Sequence, residues 1–239
     1  MKKFIDMLLP PKSVIPVLAT VLFNVLVYYG AKLINSLLDA QYHNFAIPGI
    51  DDKIPFVIEF IIIYVLAYLQ WAFGYLVLAR QEESMIYKFC CACIIAKLVC
   101  LVCFIVIPTM IPYRPEVSGS GLSAFVAKIV FAADTPVNLF PSIHCLESYL
   151  SARIVFKSKK IPMWIKIANL VLAILVFASV VLVKQHFAID IPAGILLVEI
   201  GLIIVKYTKA DRIFAKINAR IFKDEKPSVK EETKETINV

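Results

Sequence analysis

The sequence predicts an all-α membrane protein with six transmembrane helices and both termini in the cytoplasm. Hydrophobic residues make up 60% of the 239 residues and charged residues 18%, with a mean hydropathy of +0.81. A soluble domain holds roughly 45–50% apolar residues. Six runs approach the ~20 apolar residues that cross a bilayer. Cations are rich in every second connection between those runs, the pattern left by retention of positive loops inside.

The first run, residues 14–38, is longer than the roughly 7–15-residue core of a cleavable signal, and no A-x-A site follows it, so it reads as an uncleaved anchor. The second and third cover 55–79 and 89–112, the fifth 161–184 and the sixth 190–207. The fourth, 142–157, is short and must borrow length from its flanks or tilt little. Together they make one membrane domain over 1–207.

Lys2, Lys3 and Lys12 precede the first run, Arg80 and Lys88 bracket the second connection, and Arg153, Lys157, Lys159 and Lys160 fill the fourth. Lys206, Lys209, Arg212, Lys216, Arg220 and Lys223 follow the sixth. The odd-numbered connections are poorer: Lys53 stands among Asp39, Asp51 and Asp52, Arg114 and Lys128 are offset by Glu116 and Asp134, and Lys184 stands in the last. These face outward. The net charge of +7 is this topology signal plus a basic tail, which points to anionic inner-leaflet lipid as a partner and not to nucleic acid.

Residues 208–225 are expected to form an amphipathic helix in the interface, with Ile213, Phe214, Ile217, Ile221 and Phe222 on one face and Arg212, Lys216 and Arg220 on another. The polar segment 226–239 is expected to be disordered. Cys90, Cys91, Cys93, Cys100 and Cys103 lie in one apolar run and Cys145 opens another, so the thiols read as small hydrophobes without disulfides. A zinc site from His144, Cys145, His186 and Asp190 is disfavoured because consecutive residues of a helix point apart, and no metal or cofactor is expected.

The outward connections collect the candidate chemistry. "PYRP" supplies Arg114, "NLFPSIHCLES" supplies Ser142 and His144, and "KQHFAID" supplies Lys184, His186 and Asp190. Two imidazoles, a carboxylate and cations suit phosphoryl transfer, in which a tetrahedral anion is held while a nucleophile and an acid approach in line. One neutral histidine attacks phosphorus, a carboxylate fixes its tautomer, and the second histidine protonates the leaving oxygen.

Ser142 is a good N-cap for the fourth helix, which leaves free N–H groups and the positive dipole end beside His144. That is an anion site, and a bound phosphate would favour protonated His144, as an acid requires. His186 and Asp190 are four apart: they share a face if the helix is continuous, whereas Pro192 indicates a new helix near Asp190, in which case the fold must join them. Asp134 and Asn138 read as shaping the turn before Pro141. His43 reads as an interfacial anchor. Within the runs, Glu59, Lys97 and Glu199 need partners, and Glu59 with Lys97 is the expected pair. Glu147, one turn beyond His144, either tunes that histidine or serves helix packing.

"PSIH" and "HFAID" resemble the second and third signature motifs of the phosphatidic acid phosphatase type 2 and haloperoxidase superfamily. Its pattern is K-x-x-x-x-x-x-R-P, P-S-x-H, then S-R-x-x-x-x-x-H-x-x-x-D. The resemblance covers about residues 55–207. It implies that His186 accepts the phosphoryl group, Asp190 orients it and His144 is the general acid, while Arg114 and Ser142 bind phosphate and Ser179 occupies the third motif's serine. The motif lysine falls at Ile107 and the motif arginine at Val180. Lys184, one helical turn beyond Val180, is the expected replacement for the latter; for the former only Lys128 is at hand.

The resemblance implies an integral membrane lipid phosphatase with its site at the extracytoplasmic face, acting on a lipid phosphate or pyrophosphate. Relaxed cations are also found in the inositol phosphorylceramide synthase-like and sphingomyelin synthase-like branches, so a lipid phosphotransferase is the alternative. A phosphate-binding or transport protein without chemistry is a second. "GIDDKIPFVIEFIIIY" resembles bacterial proteins grouped with the first branch, implying a multi-pass protein of a bacterial plasma membrane.

Overall fold

The computed structural model describes residues 9–222. The expected tail, 226–239, and the last residues of the segment 208–225 lie outside the described residues. The elements are α1 (Pro11–Leu37), a 3-10 turn (Ile58–Phe60) leading into α2 (Ile61–Leu78), α3 (Glu83–Val106), α4 (Leu122–Ala133), α5 (Ile143–Lys157), α6 (Met163–Leu182), α7 (Asp190–Thr208) and α8 (Arg212–Ile221).

By length and composition, five helices can cross a membrane: α1, α2 with its leading turn, α3, α6 and α7. The expected fourth span is α5. Its 15 residues extend only about 22 Å at 1.5 Å per residue, less than the ~30 Å hydrocarbon core. It is short because it is enclosed: α2, α6 and α7 pack around it, and ten of its residues, including Glu147, Ser148 and Ser151, are buried. Polar side chains are tolerated there because protein, not lipid, surrounds them.

Connections alternate between two ends of the bundle. At one end Val57 N–H reaches Leu182 O at 3.0 Å, and His43 exchanges backbone bonds with Pro108 and Met110 at 2.8 and 3.0 Å. At the other, Lys12 pairs with Glu83 at 2.6 Å, Lys160 Nζ donates to Arg80 O at 3.0 Å, and Asn218 Nδ2 donates to Lys12 O at 2.6 Å. The histidines of interest lie at the first end and the basic connections at the second. The helix α4 was not foreseen; at 12 residues it is too short for a spanning-length ruler.

The expected Glu59–Lys97 pair is not formed. Glu59 lies exposed in the 3-10 turn at the end of the bundle, where water serves it. Lys97 is fully buried and pairs with Glu147 Oε1 at 2.5 Å while donating to Thr20 O at 3.0 Å. Tyr75 OH donates to the same carboxylate at 3.0 and 3.1 Å. Glu147 thus ties α5 to α2 and α3. Glu199 is held by Arg153 at 2.7 Å and by Tyr149 OH at 2.8 Å. On α8 the apolar residues divide: Phe214 is buried with its ring stacked near Tyr87, while Ile213, Ile217 and Ile221 stay exposed.

Candidate functional site

The site is built where the start of α5 meets the start of α7. Ser142 caps α5, its Oγ accepting the Cys145 N–H at 3.3 Å, and its own N–H donates to Asp190 O at 3.3 Å. This close approach requires Gly194: a Cβ there would lie 2.5 Å from Ser142 O and 3.1 Å from Leu146 N. The first turn of α5 is therefore held against the first turn of α7, and each carries one end of the constellation.

His144 stands in that first turn of α5. Tyr64 stacks on its ring with centroids 4.3 Å apart, and Trp71 and Tyr68 stand at 5.0 and 5.6 Å. Trp71 Nε1 is anchored on Ser148 Oγ at 2.9 Å. Among the described residues His144 Nε2 has no hydrogen-bond partner.

The helix α6 ends at Leu182, and the chain reverses so that the N–H groups of Gln185 and His186 both donate to Val180 O, at 2.9 and 3.0 Å. A new helix then starts at Asp190. The turn, not a shared helix face, brings His186 and Asp190 together: Nδ1 lies 3.0 Å from Oδ2, which also accepts the Phe187 N–H at 3.0 Å. Asp190 is fully buried and His186 is 8% exposed. With Nδ1 occupied by the carboxylate, Nε2 is the nitrogen left for chemistry. The two imidazole centroids are 6.0 Å apart.

Both histidines line a cavity of about 300 Å³ whose wall includes Tyr28 and Tyr29 of α1, the α2 aromatics, Asp134, Asn138 and Gln185. Asp134 accepts hydrogen bonds from Tyr28 OH and, at 3.2 Å, from Tyr64 OH. Asn138 adopts φ 58° and ties the turn to α1, accepting from Asn35 at 3.3 Å and donating to Tyr28 O at 3.2 Å.

No lysine or arginine lines this cavity. Arg114 stands one layer behind: Nη1 donates to Asp134 O and Nη2 to Gln185 Oε1, each at 2.7 Å, with the guanidinium 4.8 Å from the Phe131 ring. Burial lowers its pKa from the ordinary value while the Asp134 charge opposes the change; an arginine so placed stays cationic at neutral pH.

Lys184 departs from the expectation that it shares a helix face with Val180 toward the site. Because α6 ends two residues earlier and Lys184 takes φ 53°, its ammonium turns back to the carbonyls of Asp51 and Ile54. It lines a second cavity, of about 310 Å³, which also touches His186. Ser179 is fully buried and donates to Val176 O of its own helix at 2.8 Å. Lys128 is exposed on α4 in a shallow groove it shares with Arg114. Val180, where the motif arginine would fall, is fully buried, and Ile107 ends α3.

The sequence reading missed the aromatic wall and Gln185. Tyr64, Tyr68 and Trp71 recur at helical spacing, a signal that names a face but not what it faces. Gln185 precedes His186 directly; its Oε1 is taken by Arg114 and its Nε2 has no partner among the described residues. Among those residues no His, Cys, Asp and Glu cluster is arranged to hold a metal ion. A family model described as the PAP2 superfamily matches residues 43–204, an interval that holds every candidate residue above. No curated protein matches the chain.

Proposed function

The chain belongs to the PAP2 superfamily, and from that membership we propose that it is a membrane lipid phosphatase working through a phosphohistidine at His186. Family membership supports a phosphatase-type activity, and the apolar helices support a membrane protein. The observation that carries the finer reading is the buried His186–Asp190 pair at 3.0 Å, with His144, whose buried Nε2 has no partner among the described residues, lining the same cavity as His186.

That geometry supports the following steps. His186 Nε2 attacks phosphorus as the bond to the lipid oxygen breaks, and His144, protonated at Nε2, gives its proton to that leaving oxygen. Asp190 accepts the Nδ1–H bond, fixing the tautomer and stabilising the positive ring as the N–P bond forms. Water then attacks the phosphohistidine from the side vacated by the leaving group, neutral His144 takes its proton, and inorganic phosphate departs. The N-terminus of α5 supplies backbone donors and dipole to the non-bridging oxygens. Gln185 Nε2 donates a further bond, and Arg114 supplies positive charge from behind it.

A site meant only to bind phosphate gains nothing from a neutral imidazole oriented by a carboxylate. The aromatic wall of α1 and α2 accounts for a lipid substrate, since apolar surface must cover the carbons next to the phosphate. The test is a labelled lipid phosphate supplied with and without candidate alcohols. The reading requires label in free phosphate in both cases; label in a new lipid assigns the transferase reaction, and unchanged substrate refutes catalysis.

A further inference from the structure

At the end of the bundle away from the histidines, a groove of about 720 Å³ lies among the start of α3 and the ends of α5 and α7. Its lining holds six cations: Lys88 from α3, Arg153 and Lys157 from α5, Lys159 and Lys160 from the next turn, and Lys206 from α7. Two carboxylates, Glu82 and Asp211, share it. Retention of positive loops requires cations at one end but does not require them to converge on one concavity, where they repel one another.

Among the described residues, Lys88, Lys157, Lys159 and Lys206 form no ion pair. Arg153 is oriented by Glu199, with Nε to Oε1 at 2.7 Å and Nη2 to Oε2 at 3.2 Å. Apolar residues line the groove too: Ile203 is 53% exposed and Met85 is half-buried, while Phe89 and Leu202 behind them are buried. Concentrated positive charge beside an apolar wall matches a molecule whose anionic head continues into hydrocarbon.

We propose that this groove binds the head group of an anionic membrane phospholipid, with the phosphate among the lysines and the first acyl carbons along Met85 and Ile203. A free phosphate ion would use the cations and leave the apolar wall unoccupied, so the lipid is the better occupant. Because the lining comes from α3, α5 and α7 together, the bound lipid clamps three helices. This holds whatever reaction occurs at the opposite end.

The test uses the full-length protein in phosphatidylcholine nanodiscs with increasing phosphatidylglycerol, and native mass spectrometry to count the lipids retained. Lys88→Gln with Lys157→Gln is expected to weaken phosphatidylglycerol retention about 30-fold, in line with two cations lost near an anionic head group. Lys159→Gln with Lys206→Gln must reproduce the loss. Lys12→Gln with Lys166→Gln removes the same charge from α1 and α6 at the same end of the bundle, outside the groove, and must leave retention within about twofold. Equal loss in that control would show general surface attraction and overturn the proposal. Displacement of the lipid by inorganic phosphate at matched concentration would also overturn it, since the apolar wall would then contribute nothing.

Discussion

Replacing Gly194 by alanine tests whether the contact between α5 and α7 sets the geometry of the histidines. The added Cβ would lie 2.5 Å from Ser142 O, and 3.0–3.4 Å is already tighter than most real contacts, so the helices must part by about 0.5–0.9 Å. Neither neighbour can rotate away, because Ser142 O and Leu146 N are backbone atoms of one helical turn. The parting falls between the turn that carries His144 and the turn that carries Asp190. In-line transfer loses on the order of 10²-fold for a ~1 Å misplacement, so kcat/KM for phosphate release is expected to fall about 10- to 100-fold. Overpacking should also lower stability by about 1–3 kcal/mol. Gly201→Ala serves as the control: its Cβ would meet the Ala92 backbone, two turns further along α7 and away from the histidines. Phosphate release from a lipid phosphate in detergent micelles, with thermal unfolding in parallel, separates the two effects. Gly201→Ala should destabilise comparably with a much smaller kinetic loss. If Gly194→Ala turns over within about twofold of the unaltered protein, or the control loses as much activity, the geometric reasoning is wrong.

Asp190→Asn keeps the shape but removes the tautomer control on His186, and kcat should fall by roughly 10³–10⁴-fold; a loss below about tenfold would contradict the orienting role. Arg114→Lys cannot reach both Asp134 O and Gln185 Oε1, so kcat/KM should fall by the equivalent of about 1.5–3 kcal/mol for a charged hydrogen bond. Initial-rate kinetics with a lipid phosphate check this. Lys97→Met or Glu147→Leu alone leaves a buried charge unpaired and should cost about 3–5 kcal/mol of stability, while the double variant recovers most of it. Thermal unfolding of all three reads the coupling, and additive losses would refute the pairing.

The local geometry of the candidate residues is legible in the sequence because it survives in any fold that joins them. Ser142 before an apolar run is a cap wherever the helix goes, and His186 with Asp190 spans a turn short enough to close on itself. What lay beyond reach depended on how helices rotate about one another. Proximity of runs pairs Lys97 with Glu59, but the rotation of its helix aims Lys97 at Glu147, whereas Glu59 sits at the wet end of its helix. Helical spacing puts Lys184 on the Val180 face, and that spacing fails once α6 stops at Leu182. The fourth run is short because α5 is enclosed by neighbours, and enclosure is a property of the bundle. The aromatic wall gathers α1 and α2 around His144 from positions with no motif of their own.

The most direct measurement is to quench the protein during turnover of a lipid labelled in its phosphate, under alkaline conditions that preserve a phosphorus–nitrogen bond, and to map the label on the chain. Label on His186, absent in His186→Ala and in unfolded protein, is the predicted result. Steady turnover by His186→Ala, or label on any other residue, would contradict the central claim.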